Sequence, residues 1–289
     1  MKTFATLLLL SLIAFAPATG RADDKRIVMI AGKPSHGPGE HEHRAGLLLF
    51  QKCLAGFPGI QVEVYSNGWP ASSDVLKGAA GIIIYSDGGA GHPALQDDHL
   101  QQLGALAKQG VGLACIHYAV EPTIEKGQRE FLDWIGGCFE INRSVNPVWD
   151  ADFKTIFGHP VLRGVKPFKI KDEWYFHMRT SDHFQTLIAA VPPASTMSRP
   201  DGPHEGNPAV RAEVARGNVA ETVAWASERA DGRRGFGFTG GHYHKNWGDD
   251  NMRKVVLNGI LWVAKVEVPP DGVASTVTAA DLAQNLDPK

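Results

Sequence analysis

Gly81-Ile82-Ile83-Ile84-Tyr85, a helical stretch from Asp97 to Gln109, the stop residue Gly110, and then Val111-Gly112-Leu113-Ala114-Cys115-Ile116-His117 decide the fold of this chain. The first run is short, apolar and rich in β-branched residues, which suits a strand buried on both faces. Asp97 or Asp98 stands at the helix start and Gly110 just beyond its end, the expected boundary chemistry. A strand, a helix and a second apolar strand in this order make a βαβ unit of a parallel sheet.

The same alternation extends outward from that unit. Arg26 to Ala31 reads as a buried strand ending at Gly32, His43 to Leu54 as an amphipathic helix, and Val62 to Tyr65 as a second strand. Near residue 139 the pattern changes to short strand-like segments, Val145–Phe153, Lys166–Tyr175 and Gln185–Val191, interrupted by Pro and Gly. Pro192 to Asn207 has no periodicity and reads as a long surface loop. Ala220–Ala226 and Gly235–Thr239 return as strands, and Gly248-Asp249-Asp250 opens a final helix running to about Ala264. The fold class is therefore α/β, an open, mostly parallel, flavodoxin-like sheet with helices on both faces and extra β segments in the second half.

Residues 1–22 are set apart from this pattern. Lys2, the apolar run from Phe4 to Ala16 and the small residues around Gly20-Arg21-Ala22 form a secretory signal pattern. The run is shorter than the roughly 20 residues a membrane span needs. The expected organisation is a signal peptide over 1–22, one domain over 23–265 and a loose tail over 266–289, exported to the periplasm or beyond and off the membrane once the signal is removed. A net charge of −2 and no run of Lys and Arg argue against a nucleic-acid or anionic-membrane partner. The sequence leaves a homo-oligomer open. Cys53, Cys115 and Cys138 have no zinc-like spacing and read as small hydrophobes, with one disulfide unassigned.

Histidine carries the chemistry. Of the 12 present, several stand where a strand has just ended: His36, His92, His117 and His242. Ligands of open α/β sheets bind outside the carboxyl ends of the strands, so these imidazoles are expected to share a crevice. The run His36-Gly37-Pro38-Gly39-Glu40-His41-Glu42-His43 adds three imidazoles and two carboxylates within eight positions. Such mixed sets suit a divalent, zinc-like metal. The expected ligands are His36 and His43, flanking the Gly-Pro-Gly turn, with His117 and His242; Glu40, His41 and Glu42 read equally well as a solvated helix cap. His117 sits where a strand turns sharply, the geometry of a nucleophile elbow. Glu173, in Asp172-Glu173-Trp174-Tyr175, is the expected acid–base partner of His117. His92, Tyr243 and Trp247 are expected to face a substrate, the two aromatics by stacking on a sugar ring. No Gly-x-Gly-x-x-Gly follows the first strand and no P-loop occurs, so no nucleotide cofactor is expected.

These residues together resemble the trehalose-utilisation (ThuA-like) family, which shares the class I glutamine amidotransferase-like fold. The resemblance runs from Arg26 to about Lys265. It rests on the strand ending at Gly32 with His36 beyond it, on Cys115-Ile116-His117, on Asp172-Glu173-Trp174-Tyr175 and on Phe238-Thr239-Gly240-Gly241-His242. The related amidotransferases carry a catalytic cysteine at the elbow. His117 stands there in this chain, so glutamine hydrolysis is disfavoured. The resemblance implies a small-molecule carbohydrate as partner, a sugar or keto-sugar derivative. The alternatives are a non-catalytic carbohydrate-binding protein and a hydrolase with Cys115 as nucleophile.

Overall fold

The computed structural model describes residues 24–154 and 158–289; the expected signal peptide lies outside them. In chain order the elements are β1 (Lys25–Ala31), α1 (His43–Leu54), β2 (Ile60–Tyr65), β3 (Ala79–Tyr85), α2 (His99–Lys108), β4 (Gly112–Ile116), α3 (Gln128–Trp134), β5 (Gly137–Cys138), β6 (Val148–Phe153), β7 (Phe168–Glu173), β8 (Arg179–Thr180), β9 (Phe184–Ala190), α4 (Pro208–Val214), β10 (Glu221–Glu228), β11 (Arg234–Phe238), α5 (Asp250–Val263) and α6 (Ala279–Leu282). Seven strands form one sheet in the order β2-β1-β3-β4-β11-β10-β9. Contacts from β2 through β11 are parallel, and β10 runs antiparallel to both its neighbours.

The pleat explains the layers. On β3, Ile83 and Tyr85 join a cluster with Leu47 and Phe50 of α1 and Val255 and Ile260 of α5, whereas Ile82 and Ile84 join Leu103, Leu106 and Phe131 of α2 and α3. Alternate side chains of one strand thus feed two apolar layers, the arrangement that makes near-continuous hydrophobic strands. Asp249 caps α5 as its sequence suggests, accepting from the backbone N–H groups of Asn251 and Met252. Among the described residues no helix is long and apolar enough to cross a membrane.

Two features depart from the sequence reading. The segments β6 and β7 pair with each other as an antiparallel hairpin outside the main sheet. The tail is docked rather than loose. Val268 and Val273 are buried, and the Asn258 side chain accepts from Val273 N–H and donates to Val161 O. Farther on, Asp287 N–H and the Lys289 ammonium both reach the buried carboxylate of Glu42. All three cysteines are free thiols.

Candidate functional site

Four side chains converge at the carboxyl ends of β4 and β11: His41, His117, Glu173 and His242, their ligand atoms all within 4.8 Å of one another. His41 Nε2 lies 3.0 Å from His117 Nε2 and 3.1 Å from His242 Nδ1. Glu173 Oε2 closes the ring, 3.5 Å from His117 Nε2 and 3.3 Å from His242 Nδ1. Ligand atoms held about 2 Å from one zinc ion stand about 3 Å apart, close to the spacing of these neighbours.

The far sides of the rings decide what points inward. His117 Nδ1 is 2.7 Å from Thr239 O, and a carbonyl can only accept, so that nitrogen carries the hydrogen. His41 Nδ1 is 2.7 Å from Asp87 Oδ1, whose carboxylate also only accepts at neutral pH. Burial would raise the Asp87 pKa, but hydrogen bonds from His41 and Ser35 hold it at about 2. Burial pushes the pKa of His117 far down and that of His41 down, each reinforced by the neighbouring imidazoles. Two neutral rings therefore aim lone pairs at each other across 3.0 Å. Such an arrangement needs a proton or a cation between them. For His242, burial is outweighed by Glu173, Asp172 and Glu40, which raise its pKa. Orienting partners of this kind, a carboxylate and a carbonyl behind the ligand imidazoles, are what metal-binding histidines have.

Local backbone sets the ring. His117 begins the turn after β4 with φ 57°, and His41 has φ 46°. Left-handed backbone is uncommon for a residue with a Cβ, and it concentrates at functional sites. The loop bearing His41 is held by backbone pairing to the segment after β11: His41 N–H donates to His242 O at 3.0 Å and His244 N–H to Gly39 O at 2.9 Å. Gly241, at φ 113°, lies so close to Trp247 that a Cβ would sit 2.7 Å from the indole. Buried Asp172 ties the remaining pieces, accepting from Glu173 N–H, Gly241 N–H, His242 N–H and Asn246 Nδ2 at 2.7–3.1 Å. At the rim, Tyr175 Oη is 3.3 Å from both Glu173 Oε2 and His117 Nε2. His204 Nε2 is 3.0 Å from the buried carboxylate of Glu121, a contact that raises the His204 pKa against the opposing effect of burial.

The structure thus brings together His117, Glu173 and His242 and adds His41, which the sequence reading left open between ligand and helix cap. His36 is outside the ring: it is exposed at the mouth and stacks on His41 with 3.5 Å between centroids. His43 is fully buried behind it, Nδ1 3.2 Å from Lys33 O and Nε2 3.7 Å from Asp87 Oδ1, because α1 begins there and turns its ring inward. His92 does not face a substrate. It is buried, accepting from Ala94 N–H and donating to Ala119 O, which makes it the cap of a 3₁₀ turn. Trp247 is core, fully buried edge-on to Phe50 and Tyr85. Tyr243 is half-buried, edge-on to His242 at 4.6 Å. Cys115 is buried in the layer below the sheet, and burial raises its pKa strongly, which opposes a nucleophilic thiolate.

Comparison with known families identifies the chain's family and fold. The profile of the ThuA family, described as trehalose utilisation, matches residues 28–263. The chain belongs to the ThuA family. Among solved structures it is similar to a ThuA-like protein from Bacteroides uniformis (TM-score 0.61, 15% identity, 86% of this chain and 95% of that one). It is also similar to a ThuA-like protein from Parabacteroides merdae (TM-score 0.55, 14% identity, 90% and 99%). At these identities the likeness is one of fold. No curated protein matches the chain. The family match and the open, mostly parallel sheet bear out the fold expected from sequence.

Proposed function

We propose that this ThuA-family chain is an exported enzyme that binds one divalent, zinc-like cation on His41, His117, Glu173 and His242 and acts there on a sugar or keto-sugar derivative. One observation carries the reading: the facing lone pairs of His41 and His117, each fixed from behind by Asp87 or Thr239 O. Three imidazoles and one carboxylate suit zinc and its neighbours among the divalent metals. A cation there would polarise a carbonyl or hydroxyl oxygen.

The protein's own groups supply the rest. Tyr175, whose hydroxyl is kept protonated by burial and by Glu173, is placed to hydrogen-bond an oxygen brought to the ring. His204, whose pKa the Glu121 carboxylate raises, is the candidate proton donor. The family description supports a saccharide as substrate, and the pattern of residues 1–22 supports export.

Elemental analysis of the mature wild type and His117→Ala tests the metal. One equivalent of metal in the wild type and a loss in the variant is expected; no metal in either, with no effect of a chelator on stability, overturns it. Turnover of keto-glucosides by the metal-loaded protein, abolished by Glu173→Gln, tests the enzyme. Saccharide binding without turnover would leave a carbohydrate-binding protein.

A further inference from the structure

Outside the histidine ring, three side chains from separate elements meet at a second point. His177 lies between β7 and β8, Glu213 in the last turn of α4, and Glu221 at the first position of β10. His177 Nδ1 is 3.1 Å from Glu213 Oε2 and 3.7 Å from Glu221 Oε1, and one ligand atom from each residue lies within 4.8 Å of the other two. Among the described residues no Lys or Arg pairs with either carboxylate.

Glu221 is the informative member. Its residue is only 8% exposed. Oε2 accepts from His177 N–H at 3.1 Å, whereas the buried Oε1, turned toward His177 and Glu213, has no hydrogen-bond partner. A buried acceptor left unpaired is costly, more so when it is charged. A proton on His177 Nδ1 does not settle the matter. One N–H points in one direction: it serves Glu213 at 3.1 Å and leaves Glu221 Oε1 beyond hydrogen-bond reach at 3.7 Å. The two carboxylates also repel each other. Glu213 stands at the carboxyl end of its helix, where the backbone's partial negative charge disfavours it. A divalent ion shared by all three groups removes each of these costs at once. Ligand atoms about 2 Å from one ion stand about 3 Å apart, near the spacing found. One imidazole with two carboxylates is a mixed nitrogen and oxygen set, which suits zinc or manganese.

We propose that His177, Glu213 and Glu221 form a second divalent-cation site, structural in role, that ties α4 and β10 to the segment carrying Glu173 and Tyr175. It goes beyond the histidine ring and does not depend on it. With three protein ligands against four, and with His177 and Glu213 partly exposed, it is the weaker of the two sites. Purification without added metal therefore strips it and leaves the elemental count at one.

The test is a titration of the mature protein, loaded with one equivalent of zinc, with manganese(II), read by loss of the free-ion electron paramagnetic resonance signal. One equivalent of manganese is expected to bind. Loss of a direct ligand is at least as severe as loss of an orienting partner, which costs 10–100-fold. Glu213→Gln and His177→Gly should each weaken manganese binding tenfold or more and leave the zinc content unchanged. Both variants spare the fold: the first changes only a charge on a partly exposed helix, and the second places glycine where φ is already 58°. His117→Ala, which removes a ligand of the ring, should leave manganese uptake unchanged. No manganese uptake by the wild type, or uptake that survives both Glu213→Gln and His177→Gly, overturns the second site and leaves the ring standing. Uptake lost in His117→Ala but kept in the other two assigns manganese to the ring and also overturns it. A protein that holds no zinc yet loses manganese uptake in Glu213→Gln and His177→Gly overturns the ring and keeps the second site.

Discussion

Asp87→Ala is the perturbation that most directly probes the ring, because it removes no ligand. Asp87 Oδ1 accepts from His41 Nδ1 at 2.7 Å and from Ser35 Oγ at 2.9 Å, and this fixes the hydrogen on the outer nitrogen of His41. Without the carboxylate, His41 is free to rotate or to place its hydrogen on Nε2, where it faces the centre and blocks a cation. Loss of such an orienting partner costs about 10–100-fold in metal affinity. With free zinc held at 100 times the wild-type Kd, binding stabilises the wild type by about 2.7 kcal/mol. The variant, with Kd raised 10–100-fold, gains only about 0.4–1.4 kcal/mol under the same conditions. In a domain of this size about 1 kcal/mol moves Tm by about 2–4 °C. The zinc-induced shift should therefore fall from about 5–11 °C to about 1–6 °C. Asp87→Asn keeps an acceptor but not the charge and should fall at the mild end. The assay is competition against a chromophoric chelator, with melts run alongside. A zinc Kd for Asp87→Ala equal to wild type would refute the argument, as would a zinc-induced shift that survives His41→Ala.

Three further outcomes are expected. In the same competition assay His41→Ala loses zinc binding, while His36→Ala and His43→Ala keep it within a few-fold, since their ring nitrogens lie outside the cluster. Trp247→Ala costs about 3–5 kcal/mol in urea unfolding as a core truncation, and in calorimetry it discriminates against no particular sugar. Burial holds the His92 pKa at about 4, below its unfolded value of 6.5. The unfolded state therefore takes up the proton first, and stability falls as pH drops from 6.5 to about 4, by on the order of 3 kcal/mol in all. His92→Asn should flatten that limb of the stability–pH curve, and an unchanged slope would remove His92 as its cause.

The sheet was legible because buried parallel strands leave an apolar signature that needs no partner to be recognised. β1, β3 and β4 are such runs, and the caps Asp249 and Gly110 mark helix ends through backbone chemistry local to a few residues. The hairpin of β6 and β7 was legible as strand but not as a separate sheet, because alternation names a face and not a neighbour. α3 follows Gly127 in a left-handed turn and is only seven residues long, too short for a periodicity. The tail's anchoring could not be read at all, since Val268, Val273 and Lys289 are held by residues distant in sequence. Within the site, the rule that ligands gather at strand ends found His117 and His242. The same rule misplaced His92, whose ring is consumed by its own turn. It chose His36 and His43 over His41 because turn chemistry around Gly37-Pro38-Gly39 says which residues flank a bend, not which one faces inward. That choice is made by the pairing of residues 39–41 with 242–244, across some two hundred residues of chain.

This division also explains why the site is assembled as it is. The parallel half of the sheet supplies His117, and the loops after β1 and β11 supply His41 and His242, but Glu173 and Tyr175 come from the hairpin region outside that sheet. Asp172 joins the two halves: one buried carboxylate receives the N–H of Glu173 from the hairpin and the N–H groups of Gly241 and His242 from the sheet. A buried charge is tolerable only when its lone pairs are filled, and four N–H donors fill these. Those same bonds align Glu173 Oε2 with His242 Nδ1 and His117 Nε2. The segments inserted after β4 therefore complete the donor set, and a chain with only the parallel core would present the three imidazoles without Glu173. In this protein the carboxylate that closes the ring and the hydroxyl beside it are both carried by the part of the fold least visible to periodicity.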